Sequence, residues 1–330
     1  MARSVTIKTI AQDLGISHMT VSRALSNSPN VRSETRELIQ KRAAELGYVR
    51  NAAASAMRGD TTRIVGLLIP NLVNEFYARF ANALAILCED NDLHLITHLT
   101  NDDAGRERLA LMKLRELQTS AVIMVPAPSV ETHSAHLFHG IKTVQFIRTQ
   151  KLPFDADSIV IEDAQSIKDA VHHLAAKGHQ KICYLGGHAL LSSGRERKAA
   201  FIAAMETNGL PVRDALVQTA VPSFNMGAER ASSILSGDID ASAIICGGFE
   251  ISNGALDACL KADARIPDDL AFIGYGDPGF YRWIQGGITT ISLPIETLAA
   301  QALELLTPKN AHLSTQQHAF ATELILRNST

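Results

Sequence analysis

Residues 7–25 (IKTIAQDLGISHMTVSRAL) contain side chains whose types and spacing suit the recognition of DNA bases. Two short helical patterns flank Gly15, and glycine is the residue type that most readily adopts the left-handed conformation at which helices end. Ser17 then provides an N-cap for the second helix. A helix–turn–helix presents the first turns of its second helix to the major groove. The side chains predicted to point outward there are His18, Met19, Ser22 and Arg23.

Apolar residues recur at helical spacing in this segment and predict the small core that would hold those outward side chains in place. A third helical pattern follows a loop at 26–29, with Ser33 as its N-cap and Gly47 just after its end. Three short helices bury little surface, so we expect a small domain of marginal stability. The residues predicted to face its core are Ile10, Ala11, Leu14, Val21, Ala24, Leu25, Leu38, Ile39, Ala43 and Leu46.

Charge is distributed unevenly along the 330 residues, whose net charge is -3. Residues 1–63 carry ten basic and five acidic side chains, whereas the remaining residues carry 21 basic and 29 acidic ones. A basic segment joined to an acidic body indicates that contact with a polyanion is confined to the N-terminal helices.

Composition narrows the class of protein. An apolar content of 46% with 20% charged residues is typical of a globular protein. The four cysteines are scattered without metal-ligand spacing, which indicates reduced core thiols in a cytoplasmic protein. Since no apolar run approaches the length of a membrane span and no signal peptide opens the chain, we expect neither a membrane partner nor export.

From residue 63 onward, short apolar runs alternate with amphipathic stretches. This alternation predicts parallel sheets covered by helices on both faces, and about 260 residues suit two such lobes with a ligand between them. The predicted strands are 64–69, 93–99, 121–125, 143–147, 181–185, 243–246 and 270–275. The predicted helices among them are 76–91, 164–177, 195–208, 226–235 and 251–262.

Residues 51–57 (NAAASAM) join these two parts of the chain. Alanine favours a helix, but so short a segment does not form a stable helix by itself. Composition therefore leaves two interpretations open: an ordinary linker, or a hinge that becomes helical when DNA or a second subunit holds it.

The chain resembles the LacI/GalR (lac repressor) family of bacterial transcription regulators. The resemblance is carried by TIKTIAQDLGISHMTVSRAL at 6–25, VGLLIP at 65–70, RER at 195–197, IPDDL at 266–270 and ITTI at 288–291. It implies a helix–turn–helix domain at 1–49, a hinge helix at 50–62 and a two-lobed body at 63–330 that is similar to periplasmic binding proteins. Lobe 1 would comprise roughly 63–162 and 292–321, and lobe 2 roughly 163–288 and 322–330.

The resemblance implies a DNA-contacting role for a set of residues in the helix–turn–helix domain at 1–49, here called the head, and in the hinge at 50–62. His18, Met19 and Arg23 occupy the base-reading positions, where Arg23 suits guanine O6 and N7 and Met19 offers only apolar contact, for example with a thymine methyl. Met57 matches the apolar side chain that family members wedge into the minor groove, which kinks the duplex. The other members of the set, chiefly phosphate and register contacts, are Thr6, Ser17, Thr20, Ser22, Arg32, Thr35 and Asn51.

The resemblance also implies an effector-binding cleft between the lobes. Gly248 and Phe249 replace the family's usual Asn-Asp pair, and Gly276 replaces the first of two aspartates before Asp277. A cleft that keeps arginines and loses acids favours an anionic ligand such as a sugar acid or sugar phosphate, with structural ion pairs as the alternative role for each arginine. The residues assigned to this cleft are Phe76, Tyr77, Arg148, Arg195, Arg197, Phe249 and Asp277, with Trp283 as a further stacking surface.

The sequence thus predicts a ligand-responsive, sequence-specific DNA-binding transcription regulator. We expect a cytoplasmic homodimer that binds double-stranded operator DNA, represses genes of carbohydrate or sugar-acid metabolism, and responds to a sugar, sugar acid or sugar phosphate. Two alternatives remain open: the same regulator controlled by a partner protein, and a cytosolic small-molecule-binding protein. Because the sequence shows no catalytic, metal-ligand or cofactor-binding motif, we expect no enzyme activity, metal or cofactor.

Overall fold

A computed structural model describes residues 5–25, 28, 30–48, 62–128, 135–306 and 315–330. Its residue contacts divide the chain into two units, Met1–Thr62 and Arg63–Thr330. The hinge prediction at 51–57, together with Asn51 and Met57, lies outside the described residues.

The described part of the N-terminal unit contains three helices, and its first two are capped as the sequence predicts. Gly15 ends the first helix at φ 65° and ψ 27°. The Ser17 hydroxyl caps the second helix by accepting a hydrogen bond from the Thr20 amide (3.1 Å). Ile10, Val21 and Ile39 are fully buried between the helices. The three helices are α1 (Ile7–Leu14), α2 (His18–Leu25) and α3 (Ser33–Glu45).

Two predictions about α3 are wrong. Leu38, expected in the core, is 55% exposed, because Ile39 and Ala43 occupy the inward face and Leu38 lies one residue, about 100°, away from it. Ser33 is the first residue of α3 rather than its cap. The N-cap position falls on Arg32, whose side chain makes no capping hydrogen bond.

The second unit consists of two α/β lobes, each with a six-stranded sheet among the described residues. The sheet of lobe 1 is parallel throughout, whereas the last strand of lobe 2 runs antiparallel to its neighbour. The strands of lobe 1 are β1 (Ile64–Ile69), β2 (His94–Leu99), β3 (Ala121–Met124), β4 (Lys142–Phe146), β5 (Asp157–Glu162) and β11 (Gln317–Ala321), in the order β11-β5-β4-β3-β1-β2. Those of lobe 2 are β6 (Ile182–Gly187), β7 (Val217–Ala220), β8 (Ala243–Cys246), β9 (Ala271–Tyr275), β10 (Thr289–Ser292) and β12 (Glu323–Ile325), in the order β12-β10-β9-β8-β6-β7.

Helices pack against both sheets. Lobe 1 contains α4 (Glu75–Asp90), α5 (Ala104–Glu116) and α10 (Ile295–Leu306). Lobe 2 contains α6 (Ala164–Ala176), α7 (Ser192–Thr207), α8 (Phe224–Leu235) and α9 (Phe249–Lys261). The chain passes between the lobes after β5, after β10 and after β11, so each lobe takes its last strand from the C-terminal segment.

The predicted architecture of an all-α head and a body of two parallel-sheet lobes is confirmed, but several elements were missed. All seven predicted strands are present: 64–69 and 243–246 have the predicted bounds, and the ends of the other five differ by at most two residues. The sequence did not predict the remaining strands, or helices α5 and α10. Buried polar residues such as Asp157, Ser158 and Thr290 interrupt the apolar pattern of β5 and β10, and the edge strands β7, β11 and β12 are only partly buried.

Among the described residues, no helix combines the length and the apolar character that crossing a bilayer would require.

Candidate nucleic-acid interface and ligand cleft

The first two turns of α2 present the predicted base-reading side chains on the surface of the head. His18 and Arg23 are exposed. Met19 is 54% exposed, so the core of the head does not use this large apolar side chain. Because Val21 and Ala24 hold the opposite face of α2 in the core, the outward direction of these side chains is fixed by packing.

The predicted phosphate-contacting residues lie around the ends of α1, α2 and α3. Thr6 is engaged in a capping box: its hydroxyl accepts from the Thr9 amide (3.3 Å) and its own amide donates to Thr9 Oγ1 (3.2 Å). Both the amide and the hydroxyl of Thr6 are thus hydrogen-bonded within the first turn of α1. Thr20 Oγ1 lies 2.9 Å from Ser17 Oγ. Arg32 is exposed at the start of α3, where Thr35 is half-buried.

A cavity of about 730 Å³, including its open mouth, lies between the two lobes. Its walls come from segments that follow strands β1, β4, β6 and β8, because the carboxyl ends of parallel strands meet at one edge of a sheet. Five of the predicted cleft residues line it: Phe76, Tyr77, Arg148, Arg197 and Phe249.

The other predicted cleft residues lie elsewhere, which corrects the assignment. Arg195 is two residues from Arg197 and therefore on another face of α7, where it is exposed and donates to the Ala189 carbonyl oxygen (2.9 Å). Asp277 is paired with Arg327 (2.6 Å). Trp283 is 81% exposed and does not line the cavity.

Aromatic rings form the apolar side of the cleft. The rings of Phe76 and Tyr77 meet edge to face at 5.3 Å, and Phe76 is stacked with Phe146 at 6.0 Å. On lobe 2, the Phe249 ring lies against Gly276, where a Cβ would approach it to 2.6 Å. Phe76 and Phe249 are each only 7% exposed, so their positions are fixed before any ligand enters.

Arg148 is held by an acid that the sequence analysis did not assign to the cleft. Its guanidinium donates two hydrogen bonds to the Asp102 carboxylate, at 2.6 and 3.3 Å. Asp102 follows β2 and also lines the cavity. Asp102 could have been predicted from its position in the polar stretch that directly follows the predicted strand 93–99.

Arg197 is surrounded by partners within lobe 2. Its Nε donates to Asp163 (2.5 Å), its Nη1 donates to the Gly247 carbonyl oxygen (3.0 Å), and its guanidinium lies 4.5 Å from the centre of the Tyr275 ring. The Tyr275 hydroxyl donates to the other oxygen of Asp163 (2.9 Å). Burial raises the pKa of Tyr275 well above its ordinary value, so this phenol keeps the proton that it donates.

Among the described residues, two hydrogen bonds join the lobes at the cleft. Asn71 of lobe 1 donates from Nδ2 to Oε1 of Glu250 in lobe 2 (3.1 Å). The Thr149 amide of lobe 1 donates to the Ser192 hydroxyl of lobe 2 (3.0 Å). Glu250 is half-buried, and this burial raises the pKa of its carboxyl. The sequence analysis assigned a role to neither Asn71 nor Glu250.

The described residues contain no group of three or more histidine, cysteine, aspartate or glutamate side chains that could hold a metal ion. Cys88, Cys183, Cys246 and Cys259 are buried free thiols. Burial raises the pKa of Cys88 to about 11 and that of Cys183 to about 12, so both stay protonated at neutral pH. The chemistry that the cleft offers is binding by hydrogen bonds and aromatic surface.

Two protein families match successive parts of the chain. Residues 6–51 match the model described as bacterial regulatory proteins, lacI family, and residues 171–330 match the periplasmic binding protein-like domain. The first match contains the exposed face of α2, and the second contains most of lobe 2.

Relatives and solved structures agree with these matches over nearly the whole chain. Catabolite control protein A of Priestia megaterium is 26% identical over 311 residues, which cover 92% of each chain. The ribose operon repressor of Escherichia coli (strain K12) is 26% identical over 325 residues, covering 97% of this chain and 98% of that one. The lac repressor dimer, solved with operator and the anti-inducer ONPF, has the same fold, with a TM-score of 0.84, 20% identity and 99% coverage of both chains. The chain therefore carries a lacI-family regulatory domain at residues 6–51 and a periplasmic binding protein-like domain at 171–330, and its relatives over nearly the whole length are LacI/GalR-family regulators.

Proposed function

We propose that this protein is a cytoplasmic transcription repressor that binds operator DNA through α2 and responds to a small polar ligand in the cleft between its lobes. The observation that carries the proposal is the cavity itself, which is lined by fixed aromatic rings and by polar side chains from both lobes. An open cavity of this kind is typical of a metabolite site and favours a metabolite over a partner protein as the effector.

On the DNA side, the proposal assigns base contacts to His18, Met19 and Arg23. These side chains are exposed on the first two turns of α2, which is the part of a recognition helix that reaches base edges in the major groove. Thr20, Ser22, Arg32 and Thr35 would contact phosphates and set the register. Asn51 and Met57 retain their proposed roles in the hinge.

A homodimer is part of the proposal because one recognition helix reads only one half-site. Two-fold symmetry would pair two heads on a pseudo-palindromic operator. The lac repressor structure, which was solved as a dimer bound to operator, supports this arrangement.

On the ligand side, the proposal couples the cleft to the DNA site. A ligand that favours one arrangement of the lobes would change the affinity for operator, and the operator must change the affinity for ligand by the same factor. The hydrogen bonds Asn71–Glu250 and Thr149–Ser192 join the lobes across the cleft, so a ligand entering there competes with contacts that hold the lobes together.

The test uses the full-length protein. Preferred duplexes would be selected from random DNA, and binding of the selected duplex and of a scrambled duplex would be measured at one fixed salt concentration, because phosphate contacts make affinity strongly salt-dependent. We expect at least about a thousandfold preference for the selected duplex. Equal affinity for both duplexes would contradict sequence-specific binding, and an operator affinity unchanged by every cleft ligand would contradict the coupling.

A further inference from the structure

We propose that Met19 is a site of reversible oxidation, at which a hydroperoxide changes the DNA preference of the head. The side chain belongs to the α2 surface to which the proposed function assigns base contacts, so this assignment rests on that function. The signal acts at the DNA interface itself and requires no ligand in the cleft.

The cysteine thiols are protected from oxidants. All four are buried, and burial raises the pKa of each. A thiol reacts as its thiolate, so a buried and protonated cysteine is a poor target. A thioether has no proton to lose, and the sulfur of a methionine therefore reacts wherever an oxidant can reach it.

The methionines differ in exposure. Met19 is 54% exposed in the first turn of α2, the largest exposed fraction among the methionines that the structure describes. Met112 is 43% exposed on α5 of lobe 1. The other described methionines, Met124, Met205 and Met226, are buried in the cores of the lobes. An oxidant in solution therefore reaches Met19 without any opening of the fold.

Oxidation at Met19 leaves the packing of the head intact. The core of the head is formed by other side chains, among them Ile10, Val21 and Ala24, and Met19 is not one of the described residues that pack against it. An oxygen added to the Met19 sulfur therefore stays in water in the free protein. The cost of burying that oxygen arises only when DNA covers α2.

The reaction is a two-electron oxidation of the thioether by a hydroperoxide. The sulfur attacks the terminal peroxide oxygen, a sulfur–oxygen bond forms, and the oxygen–oxygen bond breaks. The proton of the transferred oxygen moves to the leaving oxygen, which departs as an alcohol or, from hydrogen peroxide, as water. Sulfur is oxidised and the peroxide is reduced, and methionine sulfoxide reductases reverse the change.

The sulfoxide presents a different group to the major groove. The thioether of Met19 offers apolar contact, which suits a thymine methyl, whereas a sulfoxide oxygen accepts hydrogen bonds. Thymine presents an acceptor and a methyl group, but cytosine and adenine present amino donors. Oxidation should therefore weaken binding to the original operator and shift the preference at one base towards cytosine or adenine.

The experiment compares the full-length protein before and after limited treatment with hydrogen peroxide. Peptide mass spectrometry locates the oxidised methionines, and the treatment is kept short enough to leave Met124, Met205 and Met226 unmodified. Affinities for the selected operator and for a scrambled duplex are measured at one salt concentration. We expect oxidation at Met19 to reduce the operator preference by at least about tenfold. A methionine sulfoxide reductase should restore it.

Three leucine variants identify the responsible sulfur, because leucine keeps the apolar volume of methionine and cannot be oxidised in this way. Each variant is compared with itself before and after peroxide, so a change in its starting affinity does not affect the result. Met19→Leu should keep its operator preference after treatment. Met112→Leu is the control on another exposed helix and Met57→Leu is the control for the hinge, and both should lose preference as the unmodified protein does.

Protection by DNA gives a second measurement that does not depend on affinity. The operator should slow the oxidation of Met19 at least about tenfold, because bound DNA covers its side chain, and should leave the rate at Met112 unchanged. A scrambled duplex, at a salt concentration where it does not bind, should protect neither residue. Equal rates at Met19 with and without bound operator would overturn the proposal.

The binding outcomes separate this proposal from the proposed function. A protein without operator preference before peroxide treatment would contradict the proposed function. A preference that survives oxidation at Met19, or one that Met19→Leu loses as fully as the unmodified protein, would overturn only the oxidation site. The same holds if Met57→Leu alone resists peroxide, or if circular dichroism shows that the oxidised head has unfolded.

Discussion

The head and the cleft hold their functional side chains in opposite ways. On α2, His18, Met19 and Arg23 project into solvent from a helix whose other face forms the core. In the cleft, Arg148 and Arg197 are buried and paired with acids from other parts of the chain. We therefore expect a substitution on α2 to change DNA binding with little effect on stability, whereas a substitution in the cleft changes stability and binding together.

The largest effect expected from this comparison is that of Arg197→Ala. The change leaves Asp163 buried without its cation, which costs about 3–5 kcal/mol of unfolding free energy. Denaturant unfolding of the full-length protein measures this loss. Arg195→Ala is the matched control, because Arg195 is exposed on the same helix and should change the unfolding free energy by less than about 0.5 kcal/mol. Similar losses for both variants would show that the ion pair has no special role.

Arg23→Ala should give the largest effect on DNA binding, with a much smaller effect on stability than Arg197→Ala. Losing a two-point contact to guanine costs about 1–3 kcal/mol of discrimination, which is about 5- to 150-fold in operator preference. Competition between operator and scrambled DNA measures the preference, and the unfolding temperature of the body should not change. Arg32→Ala, by comparison, should weaken binding to both duplexes equally. An operator preference that survives Arg23→Ala would show that α2 is not the reading helix.

Met19 offers a finer test of the head. If its exposed side chain contacts a thymine methyl, then replacing that thymine by uracil removes about one buried methyl group, worth about 0.8 kcal/mol or a factor of four. Each thymine of the half-site would be replaced in turn, with the unmodified protein and with Met19→Ala. One uracil should weaken the unmodified protein and leave the variant unaffected. Equal responses of both proteins at every position would contradict the contact.

The smallest expected effect concerns the pH dependence of stability at Glu250. Burial raises the pKa of its carboxyl, with Asp102 adding to the rise and Arg148 opposing it. The ionised form is therefore disfavoured in the folded protein, and its contribution to stability falls as pH rises through that raised pKa. Glu250→Gln should raise the unfolding temperature by about 1 °C at pH 7.5 and by less at pH 4. A larger gain at pH 4 than at pH 7.5 would contradict the assigned direction.

The contrast between the two sites also explains how much of the molecule the sequence predicted. Gly15, Ser17 and the buried face of α2 follow local rules, so the described part of the head was predicted almost completely, with Leu38 and the N-cap of α3 as the exceptions. Phe76, Arg148 and Arg197 were placed in the cleft by resemblance to the family, and the structure finds them there.

What the sequence could not predict depends on the meeting of distant segments. Asp102 and Asp163 pair with arginines that lie 46 and 34 residues away, and Asn71 meets Glu250 across 179 residues. No local pattern encodes these pairs. The sequence analysis looked for acids only at the positions where the family usually has them, and therefore predicted a cleft that keeps arginines and loses acids. The acids that pair with the cleft arginines come from other positions of the chain.

The strand order of the body has a consequence for the order in which parts of the protein can fold during synthesis. Strands β11 and β12, the last along the chain, complete the sheets of lobe 1 and lobe 2 respectively. Domains of a nascent chain fold as units from the N-terminus as they leave the ribosome, so the three helices of the head can form while both lobes still lack a strand. A chain that stopped before residue 317 would contain the three helices of the head but would lack the last strand of both sheets. Both sheets of the body are therefore completed only after residues 317–325 have been made.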